Sequence, residues 1–439
     1  MHELSSSLYI YLLLILLVGG LISRFIFIWH PNEVVFDEVH FGKFFSAYFT
    51  GNYYFDIHPP LGKLLIALFV NFFGLRPDFD FESIGERYPD SSYIYFRFLP
   101  NLFGSLIPIA IFLFLLEIGF SWRSAFLASW MVLFDNAFLV QSHFILIDAF
   151  LISFGLFGLY FFFKSRNNNY DLKSFILSLL FLTFSFSIKW TGLGFYALSL
   201  FVLIKDNLKK RYFRRLIKLL SLFSVIPLLI YMLIFFVHFK LLPSPGPGDA
   251  YMSSQFSKKG FLGKFLELNI AMYVYNKNIR TEHPYASPAW LWPLMSKPIY
   301  FWIKNTEGGY TSQICLLGNP SVWLLSTLGL IFALFFWRPK KTDQKTILYL
   351  GYLINFLPFF LIKRPLFLYH YLVPLIFAVS IFSDLFVKTI SKLKINRDII
   401  FICSLSLILI LFLYLSPLSY GLPLKETEFN SRFWFKSWF

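Results

Sequence analysis

Apolar runs of membrane-spanning length recur along the chain, separated by short polar breaks. They fall at roughly 8–28, 94–117, 124–140, 144–163, 172–188, 190–204, 217–238, 321–337, 346–362, 367–386 and 399–415. Crossing a hydrocarbon core takes about 20 mostly apolar residues in helical form, and only closed hydrogen-bonding patterns survive in lipid. The pattern predicts an all-α polytopic membrane protein of about 11 transmembrane helices. The run Leu64 to Phe73, bounded by Lys63 and Gly74, is shorter and reads as an interfacial or re-entrant helix. The first run lacks a small-residue cleavage site and reads as an uncleaved helix. Pro243-Ser244-Pro245-Gly246-Pro247-Gly248-Asp249 cannot be helical and reads as a linker. No internal repeat is visible, which disfavours a repeat-built transporter.

Charge orients these spans. The chain is 57% hydrophobic and 14% charged, with a formal net charge of +15. Placing the N-terminus inside puts the dense basic clusters in short inner loops: Lys205, Lys209, Lys210, Arg211, Arg214 and Arg215; Arg338, Lys340, Lys341 and Lys345; Lys388, Lys392, Lys394 and Arg397. That is the positive-inside distribution, not a nucleic-acid footprint. Counting 64–73 as a span would send most of these clusters outside. The outer side then holds 29–93, 240–320 and 416–439, so the chemistry is expected to face away from the cytosol. The whole of 1–439 reads as a single transmembrane domain, with 29–93 as the catalytic outer loop and 240–320 on the acceptor side. Cys315 and Cys403 lie in an outer loop and a span; no disulfide and no cysteine metal site is expected.

The outer segments carry the candidate chemistry. Val34-Val35-Phe36-Asp37-Glu38-Val39-His40 puts two carboxylates beside the membrane, where they are costly unless they work. Neighbouring residues point in different directions, so one acid can serve as a general base while the other orients a donor or backbone. The plainer alternative is a solvated pair, or acids offsetting a helix dipole. In Phe55-Asp56-Ile57-His58-Pro59-Pro60-Leu61-Gly62-Lys63, the prolines force His58 out of helical geometry. This is either a rigid turn or a rigid mount for His58 and Lys63 near a phosphate. Arg24, Arg97, Gln141, Ser142, His143, Asp148, Lys189, Arg364 and His370 gather at the outer ends of spans. Singly they read as snorkelling anchors; together they argue for an anionic head group. In the large outer loop, Trp290 and Trp292 read as interfacial anchors, and His283-Pro284-Tyr285 as a lining for an acceptor groove. No Walker loop, dinucleotide fingerprint or zinc motif is present.

Several stretches carry a family resemblance: Phe36-Asp37-Glu38-Val39-His40-Phe41-Gly42-Lys43, Asp56 to Lys63, Phe134-Asp135-Asn136-Ala137 with Gln141-Ser142, Lys189-Trp190-Thr191-Gly192, His283 to Ser287, Gly318-Asn319-Pro320 and Tyr369-His370-Tyr371. In this order they resemble the protein O-mannosyltransferases, polytopic glycosyltransferases of the GT-C class that use dolichyl-phosphate mannose. The resemblance implies eleven spans with a cytosolic N-terminus, an essential acid pair at Asp37 and Glu38, and important arginines at Arg24 and Arg97. Two departures stand out. The segment 240–320 is too short to hold the β-trefoil MIR domain of eukaryotic members, and His143 stands where many members have arginine.

The implied reaction is inverting transfer of mannose from a polyprenyl (dolichyl) phosphate to Ser/Thr hydroxyls of proteins on the outer or luminal face. Asp37 is the expected base, and Glu38 positions sugar, peptide or a cation. Arg97, then Lys189, Arg364 and Arg24, are the expected phosphate partners. Positioning of donor or acceptor falls to His58, Lys63, Gln141, His143, Asp148, His283, Tyr285 and His370. No cofactor is required, although a divalent metal at Asp37 and Glu38 is an option. Expected partners are the lipid-linked mannose, Ser/Thr-containing proteins, membrane lipid and, as an option, a second subunit in a dimer. The expected setting is a prokaryotic plasma membrane with the site facing outward; the alternative is the endoplasmic reticulum. The rival functions are GT-C transfer to a lipid or polysaccharide acceptor, and transport of a lipid-linked sugar.

Overall fold

The computed structural model describes residues 5–77, 79–209, 212–280, 282–306, 308–336, 344–394 and 396–438. In chain order its helices are α1 (Ser6–Phe25), α2 (Glu38–Thr50), α3 (Leu61–Phe72), α4 (Tyr93–Glu117), α5 (Trp122–Leu133), α6 (Asn136–His143), α7 (Asp148–Asn167), α8 (Leu172–Phe186), α9 (Leu193–Lys209), α10 (Phe213–Leu241), α11 (Phe261–Asn278), α12 (Pro320–Phe336), α13 (Gln344–Phe356), α14 (Leu372–Ile390), α15 (Arg397–Tyr420) and α16 (Glu426–Asn430). Each long apolar run of the sequence is mostly helical among the described residues. Among the described residues, 6 helices are long and apolar enough to cross a membrane, or 7 when the bent pair α5 and α6 counts as one span. Leu64 to Phe73 falls in α3, a shorter apolar helix.

Two features depart from the expected all-helical picture. The run 124–140 is not one helix: α5 and α6 meet at 57°. Asp135 makes the break by capping α6, its Oδ1 accepting from the amides of Ala137 and Phe138 at 3.0 and 3.1 Å. Its Oδ2 accepts from the Asn319 amide at 2.8 Å and from Trp323 Nε1 at 2.9 Å. A lone buried carboxylate in an apolar run survives because all these donors meet it. The second departure is a three-stranded antiparallel sheet that joins the 240–320 loop to the C-terminal segment 416–439. Its strands are β1 (Ile299–Thr306), β2 (Tyr310–Leu316) and β3 (Leu424–Lys425), in the order β1-β2-β3. Ile299-Tyr300-Phe301-Trp302-Ile303 is β-branched and aromatic, the composition that pleated surfaces favour.

Close helix contacts use small residues, as expected where lipid offers no hydrophobic drive for helix association. A Cβ on Gly20 of α1 would lie 2.7 Å from the Ser105 carbonyl oxygen of α4, and Ser105 Oγ donates to the Gly20 carbonyl at 3.0 Å. The segment between α1 and α4 carries α2, α3 and Asp37.

Candidate active site

The segment 32–38 is laced in place on both flanks. Val34 N donates to the Glu86 carbonyl, and Tyr88 N to that of Asn32. On the other side Phe36 N donates to the Phe301 carbonyl of β1, and the two phenyl rings stack with centroids 4.1 Å apart. Glu33 accepts from Trp302 Nε1 and pairs with Lys304, both on β1. Phe36 is held at φ 46, a left-handed conformation rare for a non-glycine residue, which turns the chain into α2. Gly42 in the next turn is required by space, since a Cβ there would lie 2.3 Å from the Phe81 ring.

The two acids then part company. Glu38 is fully buried. Its Oε1 accepts from Arg97 Nε at 2.8 Å and Ile145 N at 3.0 Å, and its Oε2 from Arg97 Nη2 at 2.8 Å, Val35 N at 2.8 Å and Tyr88 Oη at 3.1 Å. These contacts saturate the carboxylate. Arg97 spends its remaining N–H groups on the carbonyls of Glu33, Pro31 and Ile28, and its guanidinium lies over the rings of Tyr88, Tyr93 and Phe144. The expectation that Arg97 meets a donor phosphate is therefore corrected: no N–H is free for one. Arg24 is fully buried as well: its Nη groups donate to Ser23 Oγ and to the carbonyls of Leu133 and Val132, while its Nε has no partner. His143 faces Asn101 Oδ1 and the Phe27 carbonyl, and Asn101 donates to the Arg97 carbonyl. These residues form a buttress behind Glu38, not a ligand surface.

Asp37 has the opposite character. It occupies the N-cap position of α2 but caps nothing. Among the described residues its carboxylate meets no hydrogen-bond donor, and it is recessed yet partly open to solvent. Burial raises its pKa to about 6, with Asp148 and Asp56 adding to the rise and His40 and Lys189 opposing it. Lys189, in the turn between α8 and α9, binds both oxygens of Asp148 at 3.0 and 2.8 Å. Its ammonium lies 5.9 Å from the Phe41 ring centre and 5.5 Å from that of Tyr369. Gln141 Nε2 donates to Asp148 at 2.8 Å, while its buried Oε1 has no partner.

The Asp56–Lys63 segment forms the next wall. Lys63 is buried and gives its three N–H groups to Asp56 Oδ2 at 2.5 Å and to the carbonyls of His58 and Pro59 at 3.0 and 2.8 Å. It fixes the turn and has no donor left for a phosphate. Asp56 also receives the His58 amide at 3.2 Å, so the two prolines and this ion pair together mount the imidazole. Burial, with Lys189, Lys63, Arg364 and His370 close by, holds His58 well below its usual pKa and thus neutral. Asp56 was absent from the sequence-derived residues; its partnership with Lys63 seven positions on was the available signal.

Arg364 and His370 approach from the segment before α14. The Arg364 guanidinium makes no hydrogen bond or ion pair with any described residue and keeps partial exposure. The His370 ring stacks on Tyr369 at 4.5 Å and on Trp292 at 5.8 Å. Trp292 is fully buried and donates to Ser287 Oγ, so it is a core support and not the interfacial anchor expected; Trp290 is 62% exposed. His283 and Tyr285 stand at the flank, joined to this segment by the His283–Phe367 ring contact at 4.9 Å. The site thus brings together Asp37, His58, Asp148, Lys189, Arg364 and His370, with Gln141 and Lys63 behind them.

A metal bridging Asp37 and Glu38 does not fit, because the Glu38 oxygens are already taken. Among the described residues no group of three His, Cys, Asp or Glu side chains could hold an ion.

The helical membrane fold is that of the GT-C glycosyltransferases. The fold is similar to that in the "Structure of S. cerevisiae protein O-mannosyltransferase Pmt1-Pmt2 complex bound to the sugar donor" (TM-score 0.89, 20% identity, covering 100% of this chain and 93% of that one). It is also similar to the Archaeoglobus fulgidus oligosaccharyltransferase (TM-score 0.59, 12% identity, 97% and 57% covered) and to ArnT from Cupriavidus metallidurans (TM-score 0.58, 15% identity, 95% and 77% covered). Residues 14–243 match the family model "Dolichyl-phosphate-mannose-protein mannosyltransferase", and residues 261–438 match "C-terminal four TMM region of protein-O-mannosyltransferase". The chain belongs to the protein O-mannosyltransferase family. It is 34% identical over 285 residues to Protein O-mannosyltransferase 1 of Drosophila melanogaster (61% of this chain, 32% of that one). To dolichyl-phosphate-mannose–protein mannosyltransferase 4 of Saccharomyces cerevisiae it is 37% identical over 255 residues (54% of this chain, 34% of that one). The chain spans about a third of the length of these curated relatives.

Proposed function

We propose that the protein moves a mannosyl group from a polyprenyl (dolichyl) phosphate to Ser/Thr hydroxyls of proteins, with inversion at the anomeric carbon. The observation that carries this reading is the difference between the two acids. Glu38 is saturated, whereas Asp37 is recessed, unpartnered and set opposite Lys189 and Arg364. As the glycosidic bond breaks, the donor phosphate goes from about −1 toward −2. Arg364, with free N–H groups, and Lys189 are the cations placed to stabilise that charge. Asp37 takes the proton from the attacking hydroxyl, because a weak nucleophile needs a base within hydrogen-bond reach. His58, held neutral, and Gln141 Oε1, unpaired, offer acceptors or donors for sugar hydroxyls. His283 and Tyr285 line the acceptor side.

The reaction needs no metal at Asp37 in this reading, and chelator is expected to leave the rate unchanged. The setting proposed is a plasma membrane with Asp37 facing outward. Pairing with a second chain is the corresponding proposal for assembly, read by the mass of the detergent-solubilised particle. The central test uses purified protein, labelled polyprenyl-phosphate mannose and a Ser/Thr-rich peptide, with a lipid acceptor in a parallel arm. Asp37→Asn is expected to lower transfer to peptide by about 10²–10⁴-fold. Near-normal transfer by that variant, or transfer by the parent to lipid alone, would overturn the assignment.

A further inference from the structure

Helix α11 is apolar on two faces, only one of which is covered by protein. Phe265, Leu268, Ala271 and Met272 pack inward on Phe55 and Phe235. The opposite face presents Leu262, Leu266, Ile270, Tyr273 and Val274, which are 59, 59, 63, 56 and 41% exposed. Their spacing of four, four, three and one residues keeps them on one side of a helix. A face of this kind bordered by water would be a liability.

The position of α11 says what covers it. Its residues descend along the outer end of α10: Phe261 meets Phe236 and Phe239, Phe265 meets Phe235 and Tyr231, and Tyr231 Oη donates to Asn269. The apolar run of α10 begins at about 217, past the basic Arg214 and Arg215, and at 1.5 Å per residue Phe236 lies about 29 Å along it. That is close to the thickness of the hydrocarbon core. Trp190, between α8 and α9, donates to the same Tyr231 hydroxyl, about one and a half turns of α10 below Phe236, so α11 runs from the boundary level at Phe236 into the outer part of the apolar layer. Helix α10 carries its own exposed apolar surface through Val225, Leu229, Leu233 and Phe236, and Phe236 joins it to α11 through Phe261. Exposed Lys258, Lys277 and Arg280 flank the ends of α11, suited to lipid phosphates.

We propose that α11 is an interfacial helix whose Leu262–Leu266–Ile270–Tyr273–Val274 face lies in the acyl chains of the outer leaflet. Its inner face then becomes a lipid-anchored wall of the site. Leu268 and Met272 border a cavity of about 10 Å³, shared with Tyr54, Asp56, His58, Lys63 and His238. The proposal concerns membrane contact and does not depend on the reaction.

The test places nitroxide labels on single cysteines in the full-length protein in phospholipid vesicles, with Cys403→Ser removing the exposed native thiol. Labels at Leu262→Cys, Leu266→Cys and Ile270→Cys are compared for collision with oxygen, which partitions into lipid, and with a water-soluble nickel chelate. Oxygen is expected to dominate several-fold at all three, while Lys277→Cys at the helix end favours the chelate. Dominance of the chelate along the stripe would put the face in water and overturn the proposal. Low collision with both reagents would place another protein surface there and overturn it equally.

Discussion

Asp37 and Glu38 are chemically similar neighbours, and what separates them is the company each keeps. Because burial raises Asp37 to about 6, a base at this position predicts kcat/KM that rises with pH through about 6 and levels above it. The same shift has a stability consequence. A carboxyl whose folded pKa is raised adds stability that is fully present below its ordinary value near 4 and is lost as pH rises through about 6. Asp37→Asn, which cannot ionise, is therefore expected to melt higher than the parent at pH 8 and alike at pH 4, in a detergent thermal-shift series. For Glu38 the expectation is reversed. Glu38→Gln removes the charge opposite buried Arg97 and should cost about 3–5 kcal/mol, read as a lower Tm. Arg97→Lys should not recover it, since an ammonium cannot reproduce the two parallel bonds. Arg364→Gln should lower kcat by about 10² while leaving Tm unchanged, because its guanidinium bonds to no described residue; Arg364→Lys should restore part. The acid pair and the basic residues were legible as residue types. Which arginine was free was not, since Arg97 and Glu38 are 59 residues apart and only the folded chain shows the donors spent.

The elements were legible where periodicity and length carry the signal. Every long apolar run became mostly helical because lipid leaves the backbone few other solutions. The break at Asp135 was not legible, because one acid in a run of seventeen residues looks like a tolerated impurity until Asn319 and Trp323 arrive from far along the chain. Asp135→Leu leaves the amides of Ala137, Phe138 and Asn319 and the Trp323 indole unpaired, and each buried orphan costs about 1–3 kcal/mol. That variant is expected to lose folded yield in fluorescence-detected size exclusion, whereas Asp135→Asn, which keeps one acceptor oxygen, should retain more. The strands β1 and β2 were missed for a different reason. Their β-branched and aromatic residues lie in a loop without clear alternation, and pairing partners cannot be read from one strand alone.

At the scale of the whole molecule, charge distribution carried most of the reading. The sequence expects the basic clusters inside and the candidate chemistry outside, and the structure brings Asp37, Asp148, Lys189 and Arg364 into one site. Whether α3 crosses the membrane decides the orientation of everything after it, and this can be read directly. In a Cys403→Ser background, Glu82→Cys in the first outer segment should react with an impermeant maleimide on intact cells. Asn168→Cys, in the exposed turn between α7 and α8, should react only after permeabilisation. The reverse pattern, Asn168→Cys labelled from outside and Glu82→Cys protected until permeabilisation, would show that α3 is a span and that the charge argument fails.

The anchoring of Phe36 on β1 has a bearing on biosynthesis. The seat of Asp37 needs Arg97 and Ile145, made early, and Phe301 and Trp302, made more than two hundred residues after Asp37 itself. A ribosome-bound chain halted before Ile299 holds the acid pair but not the surface that turns Phe36 into place. Chains emerge N-terminus first and fold in parts, so the seat of Asp37 closes only after most of the chain has been made. An unfinished chain therefore has the acid pair without its seat, and completion of the C-terminal half is what supplies Phe301 and Trp302.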